Sequence, residues 1–266
     1  MTPDEIEDAA DTLFAAEHLN SQTGLLSRRF PGMTMDDAYA VQARFVAKKI
    51  ETGRKRIGWK IGLTSRAMQD ALGIDTPDSG VLLDDMLFED GATVPGGRFI
   101  QPRIEAEIAF VMKAPLAGES ATREEVIAAT DYVAPSLEIL DTRILRADPE
   151  TGKARVVTDT ISDNAANAGL VLGSERHGVN DHDLGWVGAI VSRDGVVEET
   201  GLGAGVLNDP ITSVLWLARR MAGYGQQIEA GDIVLSGSFI RPIEATPGSH
   251  ITADFGPFGS VSVSFD

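Results

Sequence analysis

Apolar residues recur at helical spacing in the first third of the chain and at strand spacing in most of the remainder. Ile6, Ala9, Ala10 and Leu13 mark one face of a helix, which Thr2-Pro3-Asp4-Glu5 opens with capping-box spacing and a proline at the first helical position. Ala38, Val41 and Phe45 mark a second helix that starts at Thr34, carries Lys48 and Lys49 in its last turn and stops at Gly53. Thr64 and Ser65 predict the cap of a third, short helix through Met68 and Leu72, ended by Gly73. From about residue 80 glycines become dense and the period shifts to two. Residues 104–112 predict a strand with Ile104, Ala106, Ile108 and Phe110 on one face, and residues 133–140 and 170–172 predict buried strands. Segments 186–191 and 196–198 flank Arg193-Asp194-Gly195 and predict a hairpin. Asp209-Pro210 opens a helix carrying Val214, Leu217 and Met221, which Gly223 closes. Residues 233–235 and 260–265 are further strands, the last one entered through a turn at Gly256-Pro257. The expected fold is α+β: a helical N-terminal subdomain over 1–75 and a β-rich catalytic domain over 76–266.

Composition narrows the functions. A chain of 266 residues is long enough for a real core, and with no cysteine it has no disulfide, zinc–thiolate site, iron–sulfur cluster or thiol nucleophile. Against 40 Asp and Glu stand 23 Lys and Arg, a net charge of −17 that disfavours nucleic acid and anionic membranes as partners. The acidic start lacks the apolar stretch of a signal peptide, and no apolar run approaches a membrane span. The expected location is the cytoplasm.

Carboxylates carry the most informative pattern. In Arg103-Ile104-Glu105-Ala106-Glu107-Ile108, Glu105 and Glu107 share a strand face roughly 7 Å apart, while Ile104, Ala106 and Ile108 point the other way. Such a pair is either a solvated outer face or a ligand pair for a hard divalent cation. Glu138 sits inside the apolar run Leu137-Glu138-Ile139-Leu140, where a carboxylate is solvated on one face or paired when buried. The three together suit Mg²⁺ or Mn²⁺, with positions left for water and a bidentate substrate. Lys60 is the lone cation of the apolar strand Ile57-Gly58-Trp59-Lys60-Ile61-Gly62, and is either a snorkelling surface lysine or a buried one with a carboxylate partner. Asp78 reads by itself as a turn aspartate. Gly201-Leu202-Gly203-Ala204-Gly205 lacks phosphate-loop spacing and reads as a tight bend. The four histidines, His18, His177, His182 and His250, fall in predicted loops or surface helix without metal-ligand spacing. Ser236-Gly237-Ser238 ends a strand and either presents hydroxyls to a ligand or is a simple exit.

Four segments in this order and spacing resemble the hydratase/decarboxylase branch of the fumarylacetoacetate hydrolase superfamily: Gly58-Trp59-Lys60-Ile61-Gly62-Leu63-Thr64-Ser65, Pro102-Arg103-Ile104-Glu105-Ala106-Glu107, Leu137-Glu138-Ile139-Leu140-Asp141 and Ser162-Asp163-Asn164-Ala165. The resemblance runs over nearly the whole chain. Asp148-Pro149-Glu150-Thr151 and Asp159-Thr160-Ile161-Ser162-Asp163-Asn164 are most like the member acting on a seven-carbon diacid. It implies a mixed β-roll or sandwich body with a helical N-terminal part. It also implies metal ligation by Glu105, Glu107 and Glu138, and proton transfer by Lys60 and Asp78. The implied reaction is addition of water to a 2-hydroxy-2,4-dienoate or its 2-oxo tautomer by a homo-oligomer, with a downstream aldolase or upstream decarboxylase as a partner enzyme. Substrate contacts are expected from Ser162 and Ser238, and a distal carboxylate would be met by Arg241 or Arg143. The related activities are hydration of a five-carbon monoacid and decarboxylation of a 2-oxo-3-enedioate. A scaffold that only binds a metal or a 2-oxo acid would have no need of Lys60 and all three glutamates.

Overall fold

The computed structural model describes residues 1–66, 69–70 and 74–266. Met68, Leu72 and Gly73 of the expected third helix lie outside the described residues. The N-terminal helices form where the capping signals place them. In α1 (Pro3–His18) Thr2 Oγ1 accepts from Glu5 N–H, and Glu5 Oε2 accepts from Thr2 N–H at 2.7 Å. Thr34 and Asp37 repeat that exchange at the start of α3 (Met35–Glu51). The apolar faces of α1 and α3 meet through Ala9, Ala10, Leu13, Val41 and Phe45, closed by Leu25, Leu26 of α2 (Leu26–Arg29) and Ile144. Burying each larger side chain contributes about 1.5–3 kcal/mol.

Two sheets form the body. The larger one has β2 (Asp78–Leu83), β1 (Arg56–Gly62), β10 (Ile233–Leu235), β5 (Arg103–Met112), β6 (Thr130–Leu140), β7 (Asn167–Leu172) and β3 (Leu87–Glu89) in that order, with β11 (Ile243–Glu244) also paired to β5. The smaller runs β4 (Thr93–Val94), β13 (Ser260–Phe265), β12 (His250–Asp254), β8 (Gly188–Arg193) and β9 (Val196–Leu202). Ile104, Ala106, Ile108 and Phe110 of β5 pack into one core with Ile251, Ala253, Val261 and Val263 of the smaller sheet and with Val214, Leu217 and Met221 of α6 (Pro210–Ala222). The other face of the larger sheet packs Ala109, Leu235 and Leu82 with Val46 of α3. The larger sheet is thus buried on both faces, in keeping with the expected sandwich body under a helical N-terminal part.

The expected boundary at residue 75 runs between β1 and β2, which pair antiparallel from Arg56 to Asp78. The helices are a layer on the sheet, and β1, with Lys60, belongs to the sheet itself. The β8–β9 hairpin turns at Asp194 and Gly195, both with positive φ. Gly201-Leu202-Gly203-Ala204-Gly205 is a tight bend: a Cβ on Gly201 would run into Phe239 O, and one on Gly203 into Leu184 O. His250 stands on β12 rather than in a loop, and His182 Nε2 lies 3.2 Å from His177 Nδ1.

Edge strand β2 is completed by side chains. Asn164 Oδ1 accepts from Val81 N–H (2.8 Å), while Asn164 Nδ2 (2.9 Å) and Asn167 Nδ2 (3.1 Å) donate to Val81 O. Gln42 Nε2 of α3 donates to Ser79 O (2.8 Å) and to Ile161 O of α5 (Val157–Ser162).

Candidate metal centre

The chemistry-bearing side chains converge on the face of the larger sheet that the helices cover. Glu105 and Glu107 lie on β5, and Glu105 is the register partner of Glu138 on β6. One oxygen from each of Glu105, Glu107 and Glu138 lies within 4.8 Å of the others. Glu107 and Glu138 are fully buried and Glu105 is half-buried, so the solvated-face alternative is excluded for this set. Lys60 comes from β1, on the far side of β10, and its Nζ lies 3.2 Å from Glu138 Oε1. Lys60 is 3% exposed, which excludes the snorkelling alternative. Asp78 is buried at the start of β2, opposite Gly62. A Cβ on Gly62 would run into Asp78 Oδ1 and lie 3.2 Å from Lys60 Nζ, so both polar tips crowd over that glycine.

A gap in the strand next to β5 completes the cradle. β10 pairs with Ala109–Val111 and β11 with Arg103–Ile104, and between them the chain leaves the ladder. Gly237 N–H therefore donates to Glu107 Oε2 at 2.7 Å instead of to a strand carbonyl. Gly237 has φ +116, and a Cβ there would run into Thr64 Oγ1, so both backbone and space demand glycine.

Burial raises the proton affinity of every carboxylate here. Burial and then the Glu138 charge push Glu105 up to about 8. Burial, Glu138 and Glu105 hold Glu107 well above the ordinary range, and burial raises Glu138 although Lys60 opposes it. Burial raises Asp78 as well, again against Lys60. For Lys60 burial disfavours the charge, but Glu138, Asp78, Glu105 and Glu107 outweigh it and the ammonium pKa is raised. Among the described residues Glu107 Oε1, Glu138 Oε2 and Asp78 Oδ1 are buried without a hydrogen-bond partner, and Glu138 Oε1 has only the Lys60 ammonium beside it. Hard oxygen donors, crowded and unsatisfied, fit a divalent cation.

Other expected residues stand elsewhere. Arg143 is 1% exposed, and its guanidinium is used up on the Asp163 carboxylate, Asp163 O and Asn167 O, so it cannot serve a substrate carboxylate. Arg241 has a side chain 84% exposed and paired with Glu199 at 2.6 Å, a surface ion pair. Ser162 is buried, and its Oγ donates to Thr158 O one turn back. Ser238 Oγ donates to Ile240 O and accepts from Ile240 N–H, which makes it a turn residue. Sequence reasoning missed the roles of Gly237, whose Ser-Gly-Ser setting read equally as an exit, and of Asn164.

Fold and site together define a divalent-metal enzyme with a buried lysine beside its carboxylates. No protein-family model matches the chain. It is 50% identical, over 96% of its own length and 96% of the relative's, to 2-oxo-hept-4-ene-1,7-dioate hydratase of Escherichia coli. It is 40% identical, over 100% of its length and 97% of the relative's, to 2-keto-4-pentenoate hydratase of Paraburkholderia xenovorans (strain LB400). Its fold superimposes with TM-score 0.93 and 34% identity, covering 100% of this chain and 99% of the other, on 4-oxalocrotonate decarboxylase from Pseudomonas putida G7 complexed with magnesium and adipate; that enzyme is also known complexed with calcium and acetate. The chain belongs to the hydratase/decarboxylase branch of the fumarylacetoacetate hydrolase superfamily and is an enzyme of that family.

Proposed function

We propose that this enzyme hydrates 2-oxohept-4-ene-1,7-dioate, through its 2-hydroxy-2,4-diene form, to 4-hydroxy-2-oxoheptane-1,7-dioate in the catabolism of aromatic compounds. The observation that carries this reading is the pair of buried, unpartnered oxygens Glu107 Oε1 and Glu138 Oε2 in a carboxylate cluster beside Lys60. The 50% identity to a hydratase of that diacid, against 38% to a decarboxylase, supports hydration over decarboxylation. Glu105, Glu107 and Glu138 would hold the cation, with Mg²⁺ the first choice and Mn²⁺ the alternative. A bound cation supplies Lewis-acid stabilisation of charge at the 2-oxo acid end of the substrate.

Lys60 and Asp78 move the protons. Asp78, with one oxygen free of hydrogen bonds, takes the proton of the C2 hydroxyl. Lys60, kept cationic by four carboxylates, delivers a proton to C5. The double bond then lies between C3 and C4, conjugated to the ketone. Water adds its oxygen at C4 and a proton goes to C3, with the same pair as base and acid. The buried face limits bulk water around the reacting carbons. Homo-oligomeric assembly, association with an aldolase or decarboxylase of the same route, and a cytoplasmic location belong to the same proposal.

The test is a product assay on the seven-carbon diacid dienol and the five-carbon monoacid dienol, with and without Mg²⁺, while CO₂ is measured. Metal-dependent formation of the 4-hydroxy-2-oxo acid without CO₂ supports the reading. CO₂ release as the main outcome would replace it with the decarboxylase.

A further inference from the structure

Three arginines gather at the end of the β5 face that carries the carboxylates. Arg103 precedes Glu105 by two residues on β5 and therefore shares its face. Arg146 and Arg155 stand opposite each other on a short ribbon, closed by the Ala147–Ala154 bridge and by Arg155 N–H donating to Arg146 O at 2.9 Å. Arg155 Nη1 donates to Thr142 Oγ1 (2.7 Å), two residues beyond Leu140, and Leu140 is the register partner of Arg103. All three arginines are half-buried.

Their mutual repulsion is only partly cancelled, since Arg103 alone of the three has an ion-pair partner among the described residues. Burial, and then the charges of Arg103 and Arg155, lower the pKa of Arg146 to about 10, while Asp141 and Glu244 oppose the shift. Burial lowers that of Arg155 against the pull of Asp163 and Asp159. These carboxylates are all engaged. Asp141 accepts from the N–H groups of Ile100 and Gln101, at 2.8 Å each. Asp159 accepts from Ser27 N–H and Oγ–H and from Val156 N–H. Asp163 is held by Arg143, and Glu244 pairs with Arg103 at 3.1 Å. Among the described residues neither Arg146 nor Arg155 has an ion-pair partner, in a chain whose net charge is −17. Half-buried cations that repel one another and lack counter-ions suit an anion supplied from outside.

We infer that Arg103, Arg146 and Arg155 receive the distal carboxylate of a dicarboxylic substrate whose 2-oxo acid end lies at Glu105, Glu107 and Glu138. The inference rests on the hydratase reading and names the specificity determinant that reading lacks, since Arg143 and Arg241 are committed elsewhere. Arg103 is about 7 Å along the strand from Glu105. A guanidinium is therefore within reach of a chain one methylene and one carboxylate longer than the five-carbon monoacid.

The experiment compares kcat/KM for the seven-carbon diacid dienol and the five-carbon monoacid dienol in the wild type, Arg146→Met and Arg155→Met. Each variant should lose about 10- to 100-fold more on the diacid than on the monoacid, the scale of a charge-assisted hydrogen bond removed from a sheltered site. The loss should fall mainly on KM, and Arg146→Lys should recover part of it. Equal losses on both substrates, or none, overturn the inference while leaving the hydratase reading in place. A wild type that hydrates neither dienol in Mg²⁺ overturns the hydratase reading itself, and this inference with it. Should either methionine variant fail to fold, Arg103→Met, at a side chain 30% exposed, makes the same comparison.

Discussion

Two groups of buried charges lie in this molecule, and they are built on opposite principles. At the seam between the helices and the sheet, Arg143 is enclosed by Asp163 and the Asn167 carbonyl, while Lys49 reaches Glu17 at 2.8 Å. Burial raises the Asp163 carboxyl and lowers the Lys49 ammonium, yet on Glu17 burial is outweighed by Lys49 and Arg143 and the pKa is lowered, so each of these charges faces an opposite one. At the metal centre three carboxylates face one lysine, their pKa values are raised, and Glu107 Oε1 and Glu138 Oε2 are buried without a partner. A satisfied charge cluster fastens two layers together, and an unsatisfied one is completed by something the chain does not contain.

This contrast can be broken most severely at Glu107. Glu107→Gln should lower metal-dependent kcat by about 10³-fold or more, a loss of several kcal/mol of Lewis-acid assistance. The same variant should melt no lower than the wild type in EDTA, because it removes a carboxylate that repels its neighbours; a drop in Tm would mean that Glu107 is structural. Lys60→Met should cost about 10²- to 10⁴-fold in kcat, the range for a lost general acid or base. Its Mg²⁺ affinity in calorimetry should be equal or better, since a competing cation is gone.

The seam should answer in the other currency. Arg143→Ala leaves Asp163 buried and unpaired, so chemical denaturation should register a loss of about 3–5 kcal/mol. Activity per folded molecule should persist; selective loss of turnover on the diacid would return Arg143 to the substrate. The smallest effect concerns pH. The raised carboxylate pKa values, with Glu105 at about 8, mean that protons occupy the site around neutrality, and metal must displace them. Mg²⁺ affinity should therefore rise with pH from mildly acid to mildly alkaline conditions, with proton release visible as a buffer-dependent binding enthalpy. For the metal-free protein the sign is opposite. A carboxyl whose folded pKa is raised costs stability once pH exceeds its unfolded value, so raising pH should lower Tm, and Mg²⁺ should restore it.

The elements with a clear period were legible in the sequence: α1, α3, α6, β5, β6 and the β8–β9 hairpin all stand where pattern and caps put them. The alternation on β5 also exposed Glu105 and Glu107 as a pair. What alternation could not convey is that helices cover the glutamate face, because a half-exposed strand and one buried against a polar site share the same pattern. β2 gave no alternation since all six of its residues are buried. α4 (Arg123–Ala129) has a capping box in Thr122 and Glu125 but is too short to show a stripe. The arginines failed for another reason. Nothing local to Arg143 announces Asp163, nor does anything near Arg241 announce Glu199, so only tertiary structure separates a fastener from a ligand site.

The way Asn164 stands in for a missing neighbour strand bears on how the enzyme comes to life after synthesis. Its carboxamide binds Val81 across 83 positions of chain, and Gly237 reaches Glu107 across 130. Such distant closures are slow relative to helix formation and hairpin zipping. Helical signal should return early in a refolding experiment, while high-affinity Mg²⁺ binding and turnover return together and last. A chain interrupted before residue 237 would hold most of its strands without the amide that cradles Glu107. Catalytic competence is then a report on complete folding, and a destabilised variant should lose activity before it loses helix.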